Sequence, residues 1–245
     1  MENIRKNKAK YFVYLVIIVA VVFCGNWLYK GRRVHFEDDM MRQVICMELG
    51  KDKDSHDVTY RDLETIEELE IGPVGNFETI EDVAKCKNLK KLRVNVEVTE
   101  KDASYEVYKK TKTGENFLSE LDENQIAKIQ EDLEKIFKRA NRIEDFGFSN
   151  FDESCNITKI DFLEYGRNLK KISIFHGNIE DYSALENCSK LRDVNLWYSD
   201  IDSADDLLKL KYVNRLILTG TPLVQNKEEI AKLKIAFPEA KIVVD

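Results

Sequence analysis

Residues 169–223 carry one eleven-residue pattern three times: LKKISIFHGNI from Leu169, LRDVNLWYSDI from Leu191 and VNRLILTGTPL from Val213. The three starts are equally spaced along the chain. In each copy the first, fourth, sixth and eleventh places are apolar: Leu169, Ile172, Ile174 and Ile179, then Leu191, Val194, Leu196 and Ile201, then Val213, Leu216, Leu218 and Leu223. Alternation at places four to six is the period of a short strand with one buried face. A strand recurring at so short an interval must turn, cross the back and return, and one such unit cannot bury its apolar side alone. The copies must therefore stack on a shared core, with places three, five and seven facing outward.

This L-x-x-L-x-L core at a fixed period resembles a leucine-rich repeat. The resemblance implies an α/β fold: a leucine-rich repeat solenoid with short parallel strands and an irregular or helical convex side. Further starts stand at Ile66 (with Leu69 and Ile71), Leu89 (with Leu92 and Val94) and Ile143 (with Phe146 and Phe148). The sequence departs from the family at the ninth place, where Gly177, Ser199 and Thr221 replace the usual asparagine, so the turn after each strand must be satisfied in another way.

The stretch from Leu89 to Ile143 is more than twice as long as one repeat and predicts an insertion over 97–142. Its polar part, 100–116, reads as an exposed loop. Residues 122–140 then read as a helix, with Asp122 as N-cap, Gln125 three places on, and Ile126, Ile129, Leu133, Ile136 and Phe137 on one face. Two accounts of it stand: an enlarged convex-side connection, or a functional protrusion. The last stretch, 224–245, supplies a helix, a break at Pro238 and a strand-like Ile242-Val243-Val244 that seals the far end of the solenoid.

The N-terminal part has a different character. A basic tail (1–10) precedes the uncharged run YFVYLVIIVAVVFCGNWLY at 11–29, long enough for about 28 Å of helix, with aromatic residues at both ends. This predicts a transmembrane helix; a cleaved signal peptide is the competing reading, against which stands the missing small-residue cleavage site. Arg5, Lys6, Lys8 and Lys10 before the run, against Lys30, Arg32 and Arg33 after it, orient the chain N-in and C-out. A linker (30–36) leads to an N-terminal cap over 37–60, whose helix ends at Gly50 and is followed by a polar stretch, and the leucine-rich repeat domain runs over 61–245. The F-x-D opening, the helix ending in LGK and the following T-x-x-DL-x-x-I-x-x-L-x-I resemble the N-terminal cap of bacterial internalin-like surface proteins. That resemblance implies a membrane-anchored, extracytoplasmic binding protein without catalysis.

Seven of the 38 basic residues and one of the 45 acidic ones lie in residues 1–33, so the remainder carries 31 against 44, a net of −13. Such a domain opposes nucleic-acid binding electrostatically. None of the nucleophile elbows, zinc-helix motifs, phosphate loops or dinucleotide turns occurs in the sequence. No cofactor or metal site is expected. His35 and His56 read as solvated surface residues. Of the five cysteines, Cys86 and Cys188 each lie three residues before a repeat start and read as small core residues. Asn156 and Asn187 match the glycosylation sequon.

The candidate binding residues come from the outward places. The seventh place reads Asn95, Ser149, Phe175, Trp197 and Thr219 in successive repeats, which sets Phe175 and Trp197 on adjacent strands with Tyr198 beside them. Adjacent exposed aromatics are the usual material of protein hot spots. The opposing reading is that the inserted helix or a terminal element covers them. Charged outward positions flank this patch at Lys91, Arg93, Asp145, Lys171, Asp193 and Arg215; four of the six are basic, which favours an acidic protein partner. Two functions are expected to compete: recognition of a protein partner through the concave face, using Phe175, Trp197, Tyr198, Lys171, Asp193, Arg215 and Arg93; or a structural role in a membrane or envelope assembly, through the membrane segment and residues 100–142.

Overall fold

The structure, a computed structural model, describes residues 2–95, 121–149 and 157–245; in its first helix, side chains are described at Tyr11 and from Tyr14 on. Residues 97–120 of the expected insertion, together with Cys155 and Asn156, lie outside the described residues.

Seven strands form one parallel sheet in chain order: β1 (Glu68–Ile71), β2 (Lys91–Asn95), β3 (Asp145–Ser149), β4 (Lys171–Phe175), β5 (Asp193–Asn195), β6 (Arg215–Ile217) and β7 (Lys241–Val243). The apolar fourth and sixth places of the repeats form continuous inward rows. Leu69, Leu92, Phe146, Ile172, Val194, Leu216 and Ile242 are register partners along one of them. The chain is a leucine-rich repeat solenoid, and the ladder closes the backbone hydrogen bonds of every strand but the outermost two on both sides. On the convex side the regular repeats return through short 3-10 turns at Asp161–Tyr165, Ser183–Asn187 and Leu207–Lys209.

The first repeat would expose its apolar end without a cover. Helix α2 (Asp39–Glu48) supplies it, burying Met41, Val44 and Ile45. Two carboxylates fix the joint. Asp38 caps α2 by accepting from the Met41 amide at 2.7 Å, and its other oxygen accepts from the Glu78 amide at 2.6 Å. Asp82 accepts from the amides of Glu37 and Asp38 at 2.8 and 3.0 Å. Burial raises the Asp38 carboxyl above the usual range, against the backbone donors that lower it. Gly50, with φ of 67°, ends α2. A one-turn helix α3 (Tyr60–Leu63) follows, started by a capping box between Thr59 and Asp62.

The long connection between β2 and β3 contains helix α4 (Glu123–Arg139), opened by a capping box of Asp122 and Gln125. Its apolar face enters the convex core: Phe137 meets Phe146 and Phe162 at ring distances of 5.2 and 5.0 Å. Asp132, fully buried on the same helix, accepts from the Ile80 amide at 3.0 Å and the Thr79 hydroxyl at 2.5 Å, and pairs with Lys128 at 2.7 Å. The connection lengthens without breaking the sheet, because Lys91 through Asn95 stay in register with Asp145 through Ser149. At the far end, α5 (Lys227–Ala236) buries Ile230 and Leu233, and β7 adds a last rung to the ladder.

Helix α1 spans Glu2–Lys30 as one continuous element. Among the described residues no helix is long and apolar enough to cross a membrane. The expected span at 11–29 is therefore not supported by the structure. Its described apolar side chains are exposed, from Tyr14 to Tyr29. The last turn is docked on the cap. Tyr29 stacks on Tyr60 at 5.0 Å, Arg61 lies over the Trp27 ring at 5.3 Å, and Lys30 pairs with Glu64 at 2.8 Å.

Candidate partner-binding face

The outward side chains of the seven strands stand in three rows across the concave face. Register places Glu68, Lys91, Asp145, Lys171, Asp193, Arg215 and Lys241 in the first row. The second row reads Glu70, Arg93, Gly147, Ser173, Asn195, Ile217 and Val243. The third row begins with Asn95, Ser149 and Phe175, and Trp197 continues it one repeat on. The part of these rows between Glu70 and Ile217 lines an open groove of about 730 Å³, with Phe175 of the third row at its rim.

The charges on the first three strands are consumed locally. Lys91 donates to Glu68 at 2.7 Å. Arg93 Nη2 donates to both oxygens of Asp145, at 2.8 and 2.9 Å. Its stem lies across Gly147, where an added Cβ would come within 2.6 Å of Arg93 Cδ. Asn95 donates to Glu70 at 2.6 Å and accepts from the Ser149 hydroxyl at 2.7 Å. From β4 onward this bracing thins. Lys171 reaches back to Asp145 at only 3.5 Å. Asp193, Arg215 and Lys241 make no ion pair among the described residues.

The aromatic residues gather at the end of β4 and just after β5. Trp197 meets Phe175 at 5.7 Å and 72°, His176 at 5.4 Å and 89°, and Tyr198 at 4.5 Å and 75°. His176 and Tyr198 stack at 5.3 Å and 15°. Edge-to-face and stacked pairs of this kind contribute about 0.5–1.5 kcal/mol each beyond their area. Tyr198 is 49% exposed, while Phe175 and Trp197 are half-buried, so among the described residues neither α4 nor α5 covers the cluster.

The backbone beneath this cluster is unusual. His176 and Tyr198 have φ of 54° and 53°, the left-handed region that non-glycine residues enter at a cost of about 1–2 kcal/mol. The equivalent residue one repeat further on is Gly220, with φ of 74°. The eighth place of three successive repeats is thus left-handed, and in two of them an aromatic residue occupies it. The ladder holds it there: the His176 amide donates to Trp197 O at 3.0 Å and the Tyr198 amide to Thr219 O at 2.8 Å. A Cβ on Gly220 would come within 2.7 Å of the Tyr198 ring, so the glycine makes room for that ring to lie flat.

The ninth place shows how the turn is satisfied without asparagine. Ser199, 1% exposed, accepts from the Gly177 amide and donates to Ile174 O, both at 3.2 Å. Thr221 donates to Leu218 O at 2.7 Å. Gly177 leaves space for this approach, since a Cβ there would meet Ile174 Cγ2 at 2.4 Å and Ser199 Oγ at 3.3 Å.

The sequence-based site residues thus fall in two groups. Lys171, Asp193, Arg215, Phe175, Trp197 and Tyr198 lie together on β4–β6 and the turns after them, whereas Arg93 is tied to Asp145 on the other half. His176 was not among the expected residues. The signal for it was the alignment of His176 and Tyr198 with Gly220, since a glycine in one copy marks a position that needs positive φ. The cysteines read as core residues are buried, and burial pushes the Cys86 and Cys188 thiols up to about 12.

No protein-family model matches the chain, and no curated protein matches it. Among solved structures it is similar to an internalin from Listeria monocytogenes, at 15% identity and a TM-score of 0.42, over 85% of this chain and 63% of that one. It is also similar to an internalin C2 from the same organism, at 17% identity and a TM-score of 0.39, over 86% of this chain and 94% of that one. The chain therefore spans less than two thirds of the first internalin's length. Likeness at this level carries neither family nor partner; the architecture rests on the strand ladder itself.

Proposed function

We propose that this chain is a non-catalytic, membrane-tethered recognition protein that binds a protein partner on its concave face. One observation carries the reading: strained left-handed residues present stacked aromatic rings beside Phe175, which lines the groove, while Asp193 and Arg215 there make no ion pair among the described residues. Backbone strain of this kind concentrates at functional positions. Aromatic clusters in a desolvated setting dominate binding energy. Phe175, Trp197 and Tyr198 supply the apolar anchor, with Lys171, Asp193 and Arg215 as the charged flank.

The tether is α1. Support for it comes from the uncharged run at 11–29, the exposed apolar side chains along the helix and the basic residues at both ends. Docking of Trp27, Tyr29 and Lys30 on the cap would hold the solenoid at a fixed attitude rather than on a loose string. The proposed orientation is N-in, with the repeats outside.

Crosslinking of the full chain in its native membranes tests the binding face. Replacing Phe175 and Trp197 together by Ala is expected to abolish capture of the partner while the thermal transition persists. Unchanged capture by the folded double variant sinks the concave-face reading. Trypsin added to unbroken cells tests the tether: cleavage near Arg32 and Arg33 should release the repeats, and full protection until lysis would reverse the orientation.

A further inference from the structure

The two halves of the concave face differ in a way that specifies the partner. On β1–β3 Lys91 pairs with Glu68, Arg93 pairs with Asp145 and Glu70 accepts from the Asn95 side-chain amide, so a ligand there would have to break an existing contact to make one. On β4–β7 the first row reads Lys171, Asp193, Arg215, Lys241, a net of two positive charges. Asp193 stands between Lys171 and Arg215, so an incoming anion is repelled between those strands. Arg215 and Lys241 are direct register partners with no acid between them. The anion site is therefore at β6–β7, while the aromatic anchor is at β4–β5 on the third row.

Between these lies the second row, Ser173, Asn195, Ile217 and Val243. Ser173 is 7% exposed, and its hydroxyl makes no hydrogen bond among the described residues. An extended segment laid along this row crosses the strands at about 4.8 Å per strand and advances about 3.3 Å per residue. From the middle of β4–β5 to the middle of β6–β7 is two strand spacings, about 9.6 Å, or about three residues. Side chains of an extended segment alternate, so residues three apart point to opposite sides. One then faces the aromatic row and the other the cationic row.

We propose that the β4–β7 half recognises an extended peptide segment with a bulky apolar residue and an acidic residue three positions apart. The apolar side chain enters against Phe175 and Trp197, and the carboxylate reaches Arg215 and Lys241. This rests on the concave-face reading and deepens it. Lys91 and Arg93 take no part.

The test uses the full chain in detergent micelles and fluorescein-labelled octapeptides of glycine and serine. One peptide carries a phenylalanine and a glutamate three positions apart, an isomer has them two apart, and a third has lysine in place of the glutamate. The first should bind saturably, and the other two about tenfold more weakly, a difference of about 1.4 kcal/mol. Arg215→Glu should weaken the first peptide about tenfold, and Lys91→Gln should leave it unchanged, with thermal midpoints preserved in both. Equal binding of the two isomers, an equal loss in Lys91→Gln, or no saturable binding below about millimolar concentration overturns the proposal. If binding depends on Phe175 and Trp197 but not on Arg215, the acidic assignment falls and the concave-face reading stands. If binding ignores Phe175 and Trp197, both fall.

Discussion

The half of the solenoid around β1–β3 and the half around β4–β7 share one ladder and one core, yet they spend their polar groups differently. In the first, α4 replaces a short convex turn, a buried carboxylate ties it to the neighbouring repeat, and the outward charges pair across strands. In the second, β4, β5 and β6 follow at an even interval with short convex turns, α5 enters only before β7, and Asp193, Arg215 and Lys241 make no ion pair among the described residues. The lesson is that irregularity of length went with internal bracing, and regularity with an available surface. The insertion is the part that catches the eye in the sequence, but in the described residues its helix serves the core.

The largest expected effect tests the bracing. Asp132→Ala removes the acceptor of the Ile80 amide and the Thr79 hydroxyl inside the core, and should cost about 3 kcal/mol in urea unfolding. A loss under about 1 kcal/mol would mean α4 is an ornament, and the contrast between halves would dissolve. Next is the open half's own turn. Ser199→Ala strands the Gly177 amide and should cost about 1–2 kcal/mol, with Gly177 exchanging its amide hydrogen faster than Tyr198.

A smaller effect compares the two arginines directly. Arg93→Gln breaks a two-oxygen contact with Asp145 at a partly buried site and should cost about 1 kcal/mol. Arg215→Gln should stay within about 0.5 kcal/mol. Equal losses would show that the open half is braced after all. The smallest effect should be the same in both halves. Cys86 and Cys188 occupy equivalent convex positions, and burial lifts both thiols from 9.0 to about 12. Their folded forms keep the proton, so this stabilisation is complete below pH 9 and is lost as pH rises from 9 toward 12. Alkylation of the native protein at about pH 8 should spare these two, and both should react once the chain is unfolded in urea. Reaction of one but not the other would extend the difference between halves into the core.

Much of the fold was legible because its causes are local. Every strand start read from Ile66, Leu89, Ile143, Leu169, Leu191 and Val213 leads into a strand, and Asp122 with Gln125 opens α4 as its capping box predicts. The site was legible only in part. That Phe175 and Trp197 are neighbours follows from the period alone. That Arg93 is committed to Asp145 does not, since the two are far apart in the chain and only the register across the insertion brings them together. The left-handed backbone at His176 and Tyr198 was hidden because neither residue type announces it; only Gly220 does. The membrane segment is a different case: it was read from composition, and among the described residues no helix is long and apolar enough to cross a membrane.

The left-handed place in each repeat has a consequence for how such a surface changes over time. In most turns this conformation restricts the chain to glycine, and the position is lost for recognition. Here the hydrogen bonds of the neighbouring strand hold it, so the side chain becomes a replaceable tooth on a rail, recurring once per repeat and pointing the same way. Histidine, tyrosine and glycine already occupy three consecutive sockets. A new specificity needs one substitution at one socket, with no inward residue altered and no strand moved out of register.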